Sequence, residues 1–279
     1  MRLDRRTVVL TGATGGIGSV LCAELVRAGA RVLAVGRSAA RLAVLAATQP
    51  TGTVTWVAAD LNSAPGRAVL VQHVRSLQAP PAMLILGHAH AGFGLFEEQS
   101  GEEIAQALQA NLVSPALLIH DLLPLLDRRG GAAVVAIGST FGSIGFAGFS
   151  AYSASKFGLR GLFESLAREY ADAPVRFQYL SPRATRTAFN APQVDALNAE
   201  LKTAYDTPEA VARQLMEAIV RGVPRRQLGW PEKLFVRING AFPALVDRSL
   251  FAQLPIIRRH ARRSSVASSC EVVHEPVVP

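Results

Sequence analysis

The chain is short of cysteine, of aromatic residues and of long apolar runs. Its two cysteines, Cys22 and Cys270, lie far apart and form no C-x-x-C. That spacing argues against a disulfide scaffold or a structural zinc and fits a reducing, cytoplasmic compartment. No apolar stretch approaches the roughly 20 residues that a spanning helix needs. Even "ALLIHDLLPLL" is broken by His120, Asp121 and Pro124. The run after Arg5 and Arg6 is only "VVL" before Thr11 and Gly12 interrupt it, too short for the apolar region of an export signal. The expectation is a protein that is not integral to a membrane. With 49% apolar and only 18% charged residues over 279 positions, the chain can bury a full core and is not a disordered polymer.

Acidic residues are scarce in one place above all. Residues 225–263 hold nine Arg or Lys against Glu232 and Asp247, so most of the formal charge of +8 sits in this one segment. The final residues, 264–279, are net acidic. The basicity therefore belongs to a C-terminal addition and says little about the chemistry of the core.

What is present is an alternation. "RTVVLTG", "ARVLAVGR", "TVTWVAADL", "PAMLILGHA", "AAVVAIGS" and "VRFQYLSP" read as strands, with longer helical patterns such as "GSVLCAELVRAG" between them. Near-continuous apolar strands separated by helices require a parallel sheet covered on both faces. The expected fold is a doubly wound α/β sandwich with a helical, basic C-terminal extension.

Two short patterns carry chemistry. "TGATGGIG", residues 11–18, follows the first strand and opens the first helix. Glycines let the backbone approach a pyrophosphate, and the helix start supplies free N–H groups and a positive dipole end. The spacing is Gly12, Gly16, Gly18, not G-x-G-x-x-G. A site that prefers NAD carries a carboxylate at the end of the second strand for the ribose 2′-hydroxyl. None stands here: Gly36 is followed by Arg37, with Arg41 one helical turn on. Arginine suits a 2′-phosphate, so NADP is favoured. Farther along, "SAYSASKFGLRG" places Tyr152 four residues before Lys156, one above the other on a helix face. A phenol beside a fixed ammonium is a candidate proton donor, with its pKa lowered by the positive charge.

Taken together, Thr11-Gly12-x-x-x-Gly16-x-Gly18, Asp60-Leu61, Asn111, Ser139, Tyr152-x-x-x-Lys156, and Pro182 with Thr187 resemble the classical short-chain dehydrogenase/reductase family over roughly residues 5–220. The resemblance implies a Rossmann-type single domain, residues 1–222, with a substrate lid at 183–207. It implies that Tyr152 donates a proton to a carbonyl oxygen as hydride arrives from NADPH, or removes it in the reverse direction. Lys156 would lower the tyrosine pKa and hold the nicotinamide ribose. Ser139 would polarise the substrate oxygen, and Asn111 would support a water that replaces the proton. Gly12, Thr14, Gly15, Gly16, Ile17 and Gly18 would hold the phosphates, Asp60 the adenine with Leu61 packed nearby, and Pro182, Thr185 and Thr187 the nicotinamide carboxamide. A homodimer or homotetramer is expected. Read as residues alone, Asp60 could equally cap the helix that follows, and Asn111 could be a helix residue bonding to backbone.

Two departures stand out. The family's N-N-A-G appears as Ala89-His90-Ala91-Gly92, a loss that touches local stability more than chemistry. His88 and His90 lack a neighbouring carboxylate and make a poor metal site, so no metal is expected. Arg183 stands where a glycine usually follows the proline; it could meet cofactor phosphate, recognise an acidic substrate group or point outward. In the lid, Phe189, Val194, Leu197 and Leu201 offer an apolar lining, which favours an apolar or lipid-like carbonyl substrate over a sugar. A soluble 3-oxoacyl thioester reductase, with Arg160, Arg183 and Arg186 facing a carrier, is an alternative. A non-catalytic NADP(H)-sensing protein is a second. The extension 223–263 interleaves apolar residues with arginines, which suits a segment lying on an anionic membrane or roofing the substrate pocket, or a helix packed on the core or on a subunit partner. It carries no nucleic-acid motif. Residues 264–279 are expected to be disordered.

Overall fold

The computed structural model describes residues 2–262, so the acidic tail and Cys270 lie outside the described residues. Six strands fall within the six expected runs: β1 (Thr7–Thr11), β2 (Arg31–Gly36), β3 (Val54–Ala58), β4 (Met83–Leu86), β5 (Ala132–Ile137) and β6 (Val175–Ser181). A seventh, β7 (Arg225–Gln227), comes from the segment read as extension and pairs with β6. It has no apolar run to announce it. All neighbours are parallel, in the order β3-β2-β1-β4-β5-β6-β7.

Among the described residues, ten α-helices cover the sheet and its edge. The first five are α1 (Gly16–Arg27), α2 (Ala39–Ala47), α3 (Ala64–Arg75), α4 (Gly101–Leu108) and α5 (Ser114–Leu122). They are followed by α6 (Ser150–Glu169), α7 (Pro192–Glu200), α8 (Pro208–Arg221), α9 (Glu232–Ala241) and α10 (Pro243–Ala261). Side chains alternate across each strand, so β1, β2, β4, β5 and β6 each feed two cores. Val8 and Leu10 of β1 join Met83, Ile85 and Val135 beneath α1, α2 and α8. Val9 joins Leu84, Leu86 and Val134 on the opposite face, beneath α3, α5 and α6. That two-sided burial explains why these strands are apolar throughout rather than alternating.

Local signals set the helix limits. Ser100 and Glu103 form a reciprocal capping box at the start of α4. Thr207 accepts from the Ala210 N–H ahead of α8, with Pro208 in its first turn, and Gly222 ends that helix at φ +67°. Between α4 and α5 the chain makes a π-helical turn, Gln109–Val113. Such turns add a residue to the helix and re-aim a side chain; here the residue it carries is Asn111.

The strand order reverses between β1 and β4. Loops leaving the carboxyl ends of those two strands open a crevice at that point, where an open α/β sheet binds its ligand.

Candidate active site

The glycine turn lies on one wall of the crevice. Gly12 has φ +65°, and a Cβ there would lie 2.6 Å from the backbone of Gly87 in the loop after β4. Only glycine satisfies both constraints. Gly16 opens α1 against the Thr187 side chain, which brings the strand β6 loop over the glycine turn. Gly15 precedes the helix with no side-chain cap on its N-terminal amides. Those N–H groups thus remain available to an anion, beside half-buried Thr14 and Ile17 and buried Gly18.

At the end of β2, Arg37 is exposed and Arg41 donates from Nη2 to the Thr14 carbonyl at 2.6 Å. One arginine is thereby held against the glycine turn, with the other free beside it. Asp60 is exposed and accepts from the Asn62 N–H at 3.1 Å. The helix after it is capped by Ser63, whose hydroxyl accepts from Gly66 N–H, so the capping alternative for Asp60 does not hold. Leu61 is buried, and its carbonyl accepts from the Ser114 hydroxyl at 2.7 Å.

Across the crevice, α6 carries Tyr152 and Lys156, both buried. Ser139, at the end of β5, is hydrogen-bonded to the Tyr152 phenol and accepts from the Phe141 N–H at 3.1 Å. The Lys156 ammonium lies 5.7 Å from the Tyr152 ring centroid and donates to the Ile137 carbonyl at 3.4 Å. Burial drives the two groups in opposite directions: the phenol rises to about 12 and the ammonium falls to about 8. In the protein alone the ammonium sits against the ring face, desolvation dominates, and the lowering influence is the Ser139 hydrogen bond.

Asn111 is fully buried and its amide is wholly engaged. Its Oδ1 accepts from the His90 N–H at 2.7 Å, and its Nδ2 donates to the His90 carbonyl at 2.9 Å and to the Ser155 hydroxyl at 3.0 Å. Ser155 in turn donates to the Tyr152 carbonyl at 2.6 Å. Asn111 thus ties the loop after β4 to the helix bearing Tyr152, which is more than a helix residue bonding to its own backbone. His88 bridges Thr11 Oγ1 (2.7 Å) and Ser114 Oγ (3.3 Å). Burial and the nearby Lys156 charge push its pKa down to about 4, leaving it neutral. Among the described residues no group of three or more metal-ligating side chains occurs.

Pro182 and Thr185 are buried at the end of β6, with the Thr185 hydroxyl donating to the Arg183 carbonyl at 2.9 Å. Arg183 itself does none of the three things expected of it. Its guanidinium binds Asp206 at 2.7 Å, Glu232 at 3.4 Å and the Trp230 carbonyl. It clamps the closing end of the lid segment to the start of α9.

Sequence reasoning missed two features. Tyr179 of β6 donates to the Lys156 carbonyl at 3.1 Å, and its ring fills the space where Gly138 and Gly142 lack side chains, on either side of Ser139. Burial raises its phenol pKa strongly. Second, the aromatic residues that are scarce overall collect around Tyr152. Phe141, Phe149 and Phe189 have ring centroids 6.2–6.4 Å from its ring. Phe93, Phe146 and Val194 complete the cluster. Only Phe189 and Val194 were legible as lining, because Phe93 comes from the loop after β4 and Phe141, Phe146 and Phe149 from the β5–α6 connection, with no periodic pattern.

These residues set a buried phenol among packed phenylalanine rings, with an ammonium one helical turn away, at the same end of the sheet as an uncapped helix start. The model for the short chain dehydrogenase family matches residues 6–198. Ketoacyl reductase HetN of Nostoc sp. strain PCC 7120 is 28% identical over 255 residues, covering 88% of each chain. A 3beta-hydroxysteroid dehydrogenase of Mediterraneibacter gnavus is 28% identical over 219 residues, 77% of this chain and 78% of its own. The crystal structure of a short-chain dehydrogenase from Streptomyces avermitilis superposes with a TM-score of 0.76 at 25% identity, covering 93% of this chain and 100% of that one. With a family match over more than half its length, the chain belongs to the short-chain dehydrogenases, oxidoreductases that use a nicotinamide cofactor on CH–OH and C=O groups.

Proposed function

We propose that the protein reduces an apolar ketone or aldehyde with NADPH, or runs the same reaction in reverse. The observation that carries this reading is the Tyr152 phenol, hydrogen-bonded to Ser139 and walled by phenylalanine rings. An apolar wall of this kind binds hydrocarbon surface and leaves one polar point, the phenol, to locate an oxygen. Three features support a phosphorylated dinucleotide: uncapped amides open α1, glycines leave the turn packed tightly on Gly87 and Thr187 with no side chains of its own, and no carboxylate stands among residues 36–41.

Gly12, Thr14, Gly15, Gly16, Ile17 and Gly18 would hold the pyrophosphate, Asp60 and Leu61 the adenosine, and Arg37 with Arg41 the 2′-phosphate. Pro182, Thr185 and Thr187 would border the nicotinamide. When bound, the cofactor supplies the hydride. The chain's own residues supply the rest. Ser139 orients the substrate oxygen toward the Tyr152 hydroxyl. Tyr152, held neutral by burial across the physiological range, gives that oxygen its proton. Lys156, pushed down to about 8, is poised to return a proton to the phenolate side. Asn111 fixes the distance between the two walls.

The name of the HetN relative favours a second reading, a 3-oxoacyl thioester reductase. Its expected carrier-facing arginines are mostly spent, however: Arg160 is bound to Glu164 at 2.8 Å and Arg183 to two carboxylates. Arg186 alone remains, lying over the Tyr205 ring. Cofactor preference is tested by steady-state reduction of one apolar ketone with NADPH and with NADH, for the wild type and for Arg37→Ala with Arg41→Ala. A preference for NADPH that collapses in the double variant supports the reading; a preference for NADH contradicts it.

A further inference from the structure

The outer side of the C-terminal extension has no function in the site above, and it is unlike the rest of the surface. No side chain of α9 is buried, and α10 buries only Val246, Ile257 and Ala261. Trp230, Phe242, Leu245 and Phe251 are 63–69% exposed, with Leu234 and Phe235 partly exposed beside them. Exposed Phe251, Pro255 and Arg258 recur at helical spacing on α10, with exposed Arg262 one turn on, just past the helix end. Arg237, Arg248, Arg258 and Arg262 are exposed and have no carboxylate within ion-pair distance among the described residues.

The inner side is tied down. Glu232 meets Arg183, and Asn239 Nδ2 donates to the Ser143 carbonyl at 3.0 Å. Glu200 of α7 receives Arg259 and His260, each at 2.7 Å. Glu232 and Glu200 are therefore turned toward the protein; Asp247 is the one exposed acid of the segment, against the four unpaired arginines exposed with it.

We propose that this face docks on an anionic lipid surface. Charge decides the occupant. A second copy of the chain would set these arginines against their own equivalents, and a purely apolar partner would bury them unpaired, both at high cost. At a bilayer the two residue types separate by depth: aromatic and leucine side chains enter the acyl boundary while arginines reach the phosphates. Each basic side chain near such a surface strengthens binding about fivefold. The inner face of α10 packs on the phenylalanine cluster around Tyr152, since Ile257 lies against Gly148 next to Phe149. The inference does not depend on the catalytic reading.

The test is co-sedimentation of the full chain with phosphatidylcholine vesicles and with phosphatidylcholine–phosphatidylglycerol vesicles, alongside size-exclusion chromatography. A Trp56→Phe background leaves Trp230 as the single tryptophan, so its emission reports insertion. Binding confined to the anionic vesicles, weakened by salt and accompanied by a blue shift of Trp230, is the expected result. Arg248→Ala, Arg258→Ala and Arg262→Ala together should weaken it roughly a hundredfold. Phe242→Ser with Phe251→Ser should weaken it at every salt concentration. All these side chains are exposed, and circular dichroism checks that the variants stay folded. Equal sedimentation with both vesicles, or none, overturns the proposal. So does a dimer dispersed by the same substitutions without lipid binding, or retention only by an acidic protein partner.

Discussion

The two ends of the crevice are built by different means. At the cofactor end the backbone does the work: a left-handed glycine, an uncapped helix start and strands buried on both faces. At the substrate end side chains from distant segments do it: phenylalanines from several loops, and ion pairs from Arg183 to Asp206 and Glu232 and from Glu200 to Arg259 and His260. The first end is intolerant of any added atom and written in contiguous residues. The second tolerates change in detail and sets which substrate enters.

Substitutions can break that contrast. Ser139→Ala removes the hydroxyl bonded to Tyr152 and should cost roughly a thousandfold in kcat with little change in KM, read by steady-state kinetics. Gly12→Ala should destabilise by about 3 kcal/mol or more in denaturant unfolding, because a Cβ meets the Gly87 backbone at a φ that L-residues avoid. If it costs as little as a lid substitution, the claim that the cofactor end is fixed by backbone is wrong.

His88 sharpens the comparison through pH. Its folded pKa of about 4 lies below the ordinary 6.5, so the unfolded chain binds more protons between those values. Stability should therefore fall by about 3 kcal/mol as pH drops from 6.5 to 4, and no further below that from this group. His88→Asn should flatten that part of the curve. Lys156 follows the same sign at the alkaline end: its contribution rises with pH between about 8 and 10.5.

Arg183→Met gives the smallest effect, about 2 kcal/mol in stability from two carboxylates left without their partner. It should raise KM for the substrate more than it lowers kcat, since the clamp positions the lid and not the phenol. An effect confined to kcat would place Arg183 in the chemistry instead.

The sequence was most readable where function needs contiguous residues. The glycine turn falls between β1 and α1, Tyr152 and Lys156 share α6, and Ser139, thirteen residues before Tyr152, follows β5. Strand β7 escaped notice because three polar residues pair only through backbone. Tyr179 escaped because its partner is a main-chain carbonyl 23 residues away. Arg183 was visible but its destination was not: Asp206 and Glu232 come to it only once the lid and α9 have folded. The rise that burial gives the tyrosine pKa was not legible, because spacing reveals proximity and not desolvation.

The most direct test of the account is NADPH oxidation against apolar ketones of graded size, for the wild type and for Tyr152→Phe. The account predicts that kcat/KM rises with apolar size until the phenylalanine pocket is filled. It also predicts that Tyr152→Phe loses turnover by a factor on the order of a thousand at every size, while still binding NADPH. Turnover that survives Tyr152→Phe, or that is indifferent to apolar size, would contradict it.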